Sequence, residues 1–305
     1  VTRQASAEDL RRIAGEADFA FHLAGINRPK DDAEFATGNA DFTRTLCHAL
    51  KAAGRRIPGV FTSSTQAERD NAYGTSKRAA EEALLEYGAA TGASIHLFRL
   101  TNVFGKWSRP NYNSAVAAPL RLVYIDDGVE ALLRLLATPD APGGRHEVEP
   151  VYATTVGEVA DIIRSFAACR TSLVTPRTGS GLVRALNATY LSFLPPDAFA
   201  YEVPRHGDPR GEFVEMLKTS DSGQLSYFTA HPGITRGEHY HHTKTEKFLV
   251  IRGTARFAFR NIVTGDSYAL VTKGGEGKIV ESAPGWAHNI TNIGDDELIV
   301  MLWVN

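Results

Sequence analysis

"GEHYHHTKTEKFLV", residues 237–250, sets three histidines and a glutamate immediately ahead of an apolar run. Alternate residues of a strand share a face, so His239 and His241 point one way and His242 the other. Glu246 follows His241 by five residues and can return to the same face on the next strand after a short turn. Two imidazoles and a carboxylate converging on one point suit Zn, Fe, Mn or Ni. A further ligand must come from elsewhere in the chain, and "PGWAHNITN" (284–292) supplies His288 beside a Pro-Gly turn. From residue 212 onward, short Val/Ile/Phe/Tyr-rich runs alternate with "HPG", "RG", "TGD", "KGG", "PG" and "IGDD" turns. That rhythm predicts a small antiparallel barrel around the His/Glu group.

The first 165 residues read differently. "SAEDLRRIAGEA" (6–17) opens on a Ser cap with an acid three residues on and predicts a helix. "DFAFHLAG" (18–25) predicts a buried strand, "NADFTRTLCHALKAAG" (39–54) a helix and "PGVFTSST" (58–65) a strand. "SKRAAEEALLEYGAATG" (76–92) is again helical, and "SIHLFRLTNVFG" (94–105) is a strand. The alternation predicts an α/β, doubly wound parallel sheet with helices on both faces, and "VGEVADIIRSFAA" (156–168) closes the pattern. "YLSFLPPDAFAYEVPRHGDPRG" (190–211) reads as a linker and the entry to the second domain, which places the domains at 1–196 and 197–305.

The bulk properties are those of an ordinary globular protein: 305 residues, 43% hydrophobic and 22% charged. A net charge of −2 without a Lys/Arg block argues against a nucleic-acid or anionic-membrane partner. No apolar stretch approaches the ~18 residues of a spanning helix. Cys47 and Cys169 form no CxxC, so neither a disulfide framework nor a Cys-based metal site is expected, and a cytoplasmic location is the default.

In the first domain, "AYGTSK" (72–77) places Tyr73 and Lys77 four apart at a helix start, on one face. A nearby ammonium favours phenolate and lowers the Tyr pKa toward a value useful for proton transfer. The strand end "FTSST" (61–65) supplies hydroxyls able to hold a carbonyl, Ser64 among them. With "HLAG" at 22–25, Asn39 at a helix start and "RLTNVFG" at 99–105, this set resembles the extended short-chain dehydrogenase/reductase family of Rossmann-type proteins. The resemblance implies catalytic roles for Ser64, Tyr73 and Lys77. It places Leu23, Ala24, Gly25, Asn39, Tyr73 and Lys77 against a dinucleotide, with Asn102 and Arg109 beside the substrate.

The family's Gly-rich phosphate loop does not precede "HLAG", and only seventeen residues stand before the strand that starts at 18. The expectation is that this loop lies ahead of Val1, which makes "VTRQ" the end of the second strand. An acid there serves NAD and an Arg accommodates the extra phosphate of NADP, so Arg3 favours NADPH.

The second domain resembles the cupin family. Gly233, His239, His241, Glu246 and Gly253 fit its first motif at every position, and Pro284, Gly285, His288 and Asn292 fit the second with Pro adjacent to Gly. This resemblance implies a divalent metal, zinc, on His239, His241, Glu246 and His288. A reductase fused to a cupin is a rare order. Both halves, with "HLAGINRP", "FGKWSRPNYNS", "TYLSFLP" and "HHTKTEKFLV", are similar to the bifunctional UDP-sugar reductases of bacterial capsule and O-antigen synthesis, the CapF type. That similarity implies a homodimer acting on a UDP-4-keto-6-deoxy-HexNAc. The cupin would epimerise carbon 3 and the reductase domain would reduce carbon 4 with NADPH, toward UDP-N-acetyl-L-fucosamine. Tyr240, His242 and Lys244 remain open as the epimerisation base.

Three other readings compete. A sugar 4,6-dehydratase would carry Asp-Glu after its Ser/Thr, where this chain has Thr65-Gln66. A non-catalytic nucleotide sensor with a cupin as sugar-binding or dimerisation module has no need of the full Ser/Tyr/Lys set. A metal-cupin oxygenase fused to a reductase would consume oxygen.

Overall fold

The structure is a computed structural model and describes residues 5–108 and 120–305. It divides into two compact units, Val1–Glu158 and Val159–Asn305. The division falls ahead of the 196/197 boundary expected above. Residues 159–196 group with the second unit, where β8 (Val174–Thr175) pairs in parallel with the strand Gly211–Thr219 and Arg170 Nη1 donates to Ala198 O at 2.6 Å.

The first unit begins with α1 (Ala7–Glu16). Its capping box is complete: Ser6 Oγ accepts from Asp9 N at 3.1 Å and Asp9 Oδ2 accepts from Ser6 N at 3.2 Å. Next come β1 (Ala20–His22), α2 (Ala33–Phe35), a π-helical turn (Ala36–Asp41) and α3 (Phe42–Ala52). The strand expected over 18–25 is therefore three residues long. The chain leaves the sheet at Leu23 and folds back over Asn39, whose Oδ1 accepts from Ile26 N at 2.7 Å.

β2 (Gly59–Ser64) leads through a 3-10 turn to α4 (Ala72–Thr91). This helix starts four residues ahead of the expected position because Asn71 caps it, its Oδ1 accepting from Gly74 N at 2.7 Å. Gly92 ends it in the left-handed conformation.

The expected strand over 94–105 is two strands. β3 (Ile95–Leu100) lies in the parallel sheet, whereas β4 (Asn102–Phe104) pairs in parallel with β5 (Leu120–Tyr124) in a separate sheet. Thr101 Oγ1, at the junction, donates to Arg121 O at 2.7 Å. α5 (Ile125–Arg134), β6 (Gly144–His146), β7 (Tyr152–Thr154) and α6 (Val156–Ser172) complete the run.

The parallel sheet has the order β1-β2-β3-β6. Side-chain alternation along β2 and β3 sends Phe61 and Leu97 to one face, where they pack with Leu50, Ala80 and Leu84 of the helices. Val60 and Phe98 go to the other, with Val123 and Leu132. Both faces are covered, as a Rossmann-type sheet requires.

One polar network crosses the first of these faces and ties the helix to the strands. Glu81 of α4 is 2% exposed; it accepts from Ser63 Oγ at 2.5 Å, from Arg99 Nε at 2.9 Å and from Arg99 Nη2 at 2.6 Å. These bonds hold its carboxyl below the usual carboxylate range against the opposing effect of burial. Glu81→Ala removes the buried partner of Arg99 and leaves it only the exposed Glu68, 2.8 Å from Nη1, so the expected cost is about 3 kcal/mol, the low end for a broken buried pair. An unchanged urea midpoint for the transition of this unit would contradict that.

The second unit continues through α7 (Gly181–Ser192) into β9 (Arg205–Asp208), β10 (Gly211–Thr219), β11 (Gln224–Ala230) and β12 (Thr235–His239). β13 (Glu246–Arg252), β14 (Thr254–Asn261), β15 (Ser267–Lys273), β16 (Ile279–Ser282), β17 (Trp286–Asn292) and β18 (Leu298–Val304) follow. One sheet runs β16-β13-β18-β11-β10-β8 with β9 on β10, and the other runs β12-β17-β14-β15. Phe248, Val250, Val300 and Leu302 of the first sheet share a core with Phe257, Phe259 and Ile290 of the second. No helix among the described residues is long and apolar enough to cross a membrane.

Candidate functional site

The C-terminal end of β1, the π-helical turn and the first turns of α4 meet around Lys77. Asn39, 2% exposed, holds the loop after β1 through Ile26 N and Ile26 O, and its Nδ2 also donates to Ser76 Oγ at 2.9 Å. Ser76 in turn donates to Tyr73 O at 2.8 Å. Lys77 Nζ donates to Thr62 O at 3.1 Å and lies 4.8 Å from the centre of the Phe61 ring. Burial pushes its pKa down to about 8, partly opposed by Glu81.

A Cβ on Gly25 would meet Asn39 Oδ1 and Lys77 Nζ, both at 3.0 Å, so the backbone there passes close over the lysine. Ser64 ends β2 two residues beyond Thr62, with its Oγ accepting from Gln66 N at 3.2 Å. The Tyr73 ring sits 5.4 Å from Phe35. Gly25, Asn39, Tyr73 and Lys77 thus come together on one wall, beside the exposed Leu23 and half-buried Ala24. Asn102 is exposed on β4, in the three-stranded sheet. Arg3 and Arg109 lie outside the described residues.

Two features of this wall were not read from the sequence. Gly74 is required because a Cβ there would come within 2.2 Å of Gln66 O and 2.6 Å of Arg69 O. His22, 5% exposed, stacks on Phe61 and shares a 2.8 Å contact between its Nε2 and Thr43 Oγ1; burial holds its pKa down at about 4. The Gly74 contacts come from the turn just ahead of the helix and the His22 contacts from elements twenty or more residues on, and neither belongs to a motif.

In the second unit, Glu246 starts β13 and is 6% exposed. Its Oε2 lies 2.9 Å from His288 Nε2, 3.4 Å from His241 Nε2 and 3.2 Å from Ser282 Oγ, which donates to it. Burial pushes the carboxyl pKa up, but the His288 bond and the surrounding positive groups outweigh it and hold the group below its usual range. His239 pairs in register with His288 across β12 and β17, and its ring lies 4.8 Å from that of His241 and 4.9 Å from that of His288. Strand alternation is not what joins the two: β12 ends at His239 after a bulge, with Glu238 at φ 68°, and His241 follows in the turn. Gly285 N–H donates to His241 O at 2.9 Å, so the Pro-Gly turn that presents His288 also fixes that turn.

Among the described residues, His239, Glu246 and His288 offer ligand atoms that all lie within 4.8 Å of one another. His241 Nε2 is buried and makes no hydrogen bond, as suits a lone pair intended for a metal. His241 stands outside that group, 3.4 Å from Glu246 Oε2, and the two imidazoles and the carboxylate fit a divalent ion of the zinc type. Asn292 serves the frame instead: fully buried, it donates to Ala230 O and Asp296 O at 2.9 and 2.8 Å.

A buried lysine one helical turn from a tyrosine, on a parallel sheet whose first loop closes over it, defines a Rossmann-type oxidoreductase of the short-chain kind. Comparison with known proteins agrees. Residues 1–121 match the NAD dependent epimerase/dehydratase family, and residues 206–305 match the polysaccharide biosynthesis C-terminal domain. The UDP-2-acetamido-2,6-beta-L-arabino-hexul-4-ose reductase of Pseudomonas aeruginosa is 54% identical over 322 residues, spanning 100% of this chain and 87% of the relative. Among solved structures, the capsular polysaccharide assembling protein CapF from Staphylococcus aureus superposes with a TM-score of 0.90 at 36% identity, covering 100% of this chain and 88% of that one. CapF with the inhibitor 3-isopropenyl-tropolone gives 0.83 at 30% identity, covering 100% and 87%. The chain belongs to this CapF-type family of UDP-sugar reductases, and the family implies a nicotinamide cofactor.

Proposed function

We propose that the chain is a bifunctional UDP-sugar enzyme: a cupin unit inverts carbon 3 of a UDP-2-acetamido-2,6-dideoxy-4-hexulose and the Rossmann-type unit reduces carbon 4, toward UDP-N-acetyl-L-fucosamine. The observation that carries the reading is the second cluster. A reductase needs one site, yet this chain buries Glu246 and His288 in another core, with His241 Nε2 buried, without a hydrogen bond, 3.4 Å from Glu246 Oε2. The naming of the Pseudomonas aeruginosa relative as a hexulose reductase supports the substrate class.

In the reductase unit, Ser64 orients the carbon 4 carbonyl and Tyr73 gives its phenolic proton to the oxygen as charge develops there. Lys77, as ammonium, favours release of that proton. NADPH, when bound along Leu23, Ala24, Gly25 and Asn39, supplies the hydride. In the cupin unit, His239, His241, Glu246 and His288 would hold a zinc ion, which would polarise the 4-keto oxygen and acidify the neighbouring carbon 3 proton. Ser282 fixes Glu246, and the Gly285 bond to His241 O fixes the loop that carries the third imidazole. The functional protein is a homodimer.

Incubation of the keto sugar with NADPH and the full chain tests the proposal. The expected product is heavier by two hydrogens and inverted at carbon 3; a product reduced at carbon 4 with carbon 3 retained would overturn it. Lys77 adds a pH test. It is charged below about 8 and neutral above, so kcat/KM for reduction is expected to fall through an alkaline limb near that pH. Because the folded chain binds fewer protons here than the unfolded one, stability should rise with pH between about 8 and the ordinary lysine value of 10.5. A kcat/KM still flat at the ordinary lysine value would contradict the role given to Lys77.

A further inference from the structure

Among the described residues, three arginines bind carboxylates through the same edge of the guanidinium, the Nε and Nη2 fork: Arg99 on Glu81, Arg205 on Glu212 and Arg210 on Asp208. Arg236 presents that fork with nothing in it. Its Nε and Nη2 are both buried and neither makes a hydrogen bond. The guanidinium lies against the Phe228 ring, 5.6 Å from its centre, and the side chain is 15% exposed. Asp208 Oδ1 stands 3.9 Å from Nη2, beyond hydrogen-bond reach, and that carboxylate is already engaged by Arg210 at 2.6 Å. A buried cation with both fork donors open leaves an unmet demand for an anion with two oxygens.

The position of Arg236 says which anion. β12 pairs Arg236 with Ile290 and, past the bulge, His239 with His288. Ile290 and His288 lie on one face of β17, so Arg236 and His239 share that face of the sheet, Arg236 packed on Phe228 and His239 exposed at the strand end. Their partners on β17 are two residues apart, about 7 Å along the strand. That is the scale separating the reacting carbons of a hexose ring from the phosphate joined at its carbon 1. Arginine suits this task better than lysine because its planar fork matches two phosphate oxygens at once.

We propose that the Nε/Nη2 edge of Arg236 grips the diphosphate of a nucleoside-diphosphate sugar whose ring lies at the His239, Glu246 and His288 cluster. This rests on the reading that the cluster acts on a UDP-sugar. Arg236 binds and positions; it performs no chemistry. Substrate selection follows from it: a sugar lacking the diphosphate leaves the buried charge unanswered and enters the barrel poorly.

The test uses the full chain as wild type, Arg236→Gln and Arg236→Lys. Carbon 3 hydrogen exchange is followed in heavy water without NADPH, together with thermal unfolding and metal content. Arg236→Gln is expected to raise KM for the UDP-keto sugar about ten- to a hundredfold with kcat nearly unchanged, and Arg236→Lys to recover part of it. An unchanged KM overturns the proposal. So does a lower unfolding midpoint accompanied by loss of metal, which would make Arg236 a structural residue. Calorimetric titration with UDP gives a readout that needs no chemistry: wild type should bind at two sites and Arg236→Gln at one, and equal stoichiometry overturns the proposal. Should wild type show no exchange at carbon 3, the bifunctional reading falls, while the titration still decides the role of Arg236.

Discussion

Tyr73→Phe is expected to lower NADPH-dependent reduction of the keto sugar by ~10²–10⁴-fold, the contribution of a positioned general acid. The substitution removes one hydroxyl and keeps the ring against Phe35, so α4 and its Asn71 cap should remain as they are. Lys77 keeps its bond to Thr62 O and Ser76 its bond to the residue 73 carbonyl, neither of which involves the phenol. The loss should therefore appear in kcat with cofactor affinity preserved, measured as NADPH consumption alongside a binding titration. A folded variant that consumes NADPH near the wild-type rate would remove Tyr73 from the reaction.

His288→Ala is expected to lower metal affinity by more than about 100-fold, since loss of a partner one shell further out already costs 10- to 100-fold. Carbon 3 inversion should stop with it. His288 is 4% exposed and bonds Glu246, so the variant also takes the shortest of its contacts from a buried carboxylate, leaving Ser282 as donor, and should unfold at a lower temperature. His239→Ala separates the two effects. His239 is exposed, so its removal should deplete the metal without that loss of stability. Metal content by elemental analysis and carbon 3 exchange should fall together in both variants, while a substrate already inverted at carbon 3 should still be reduced. Full metal content in both variants would show that the cluster is not the metal site.

Local signals in the sequence were enough to single out Tyr73 and Lys77 in one unit and His239, Glu246 and His288 in the other, which lie close together in the structure. The Tyr73–Lys77 spacing needs only one turn of helix, and the two Gly- and His-bearing stretches of the second unit each form a turn next to a strand. The Ser6 capping box and the switch from alternating helices and strands to short strands were legible for the same reason.

What could not be read depends on partners distant in the chain. α4 starts at Ala72 because Asn71 reaches Gly74, a cap hidden among the polar residues around it. The break between β3 and β4 is set by pairing with β5, twenty residues on, and nothing in "RLTNVFG" marks it. Glu81 reads as one acid among several on an exposed helix face until Ser63 and Arg99 arrive beside it. Arg236 has no motif at all; only the burial of its fork without a partner singles it out.

The division of labour between the two units is tested most directly by one reaction: wild-type full chain, the UDP-4-keto sugar and unlabelled NADPH, run in heavy water. Inversion at carbon 3 must exchange that hydrogen with solvent, whereas the hydrogen delivered to carbon 4 comes from the cofactor. The account predicts a product with one carbon-bound deuterium, at carbon 3, and protium at carbon 4. A reduced product with protium at both positions would show that the second cluster takes no part in the chemistry.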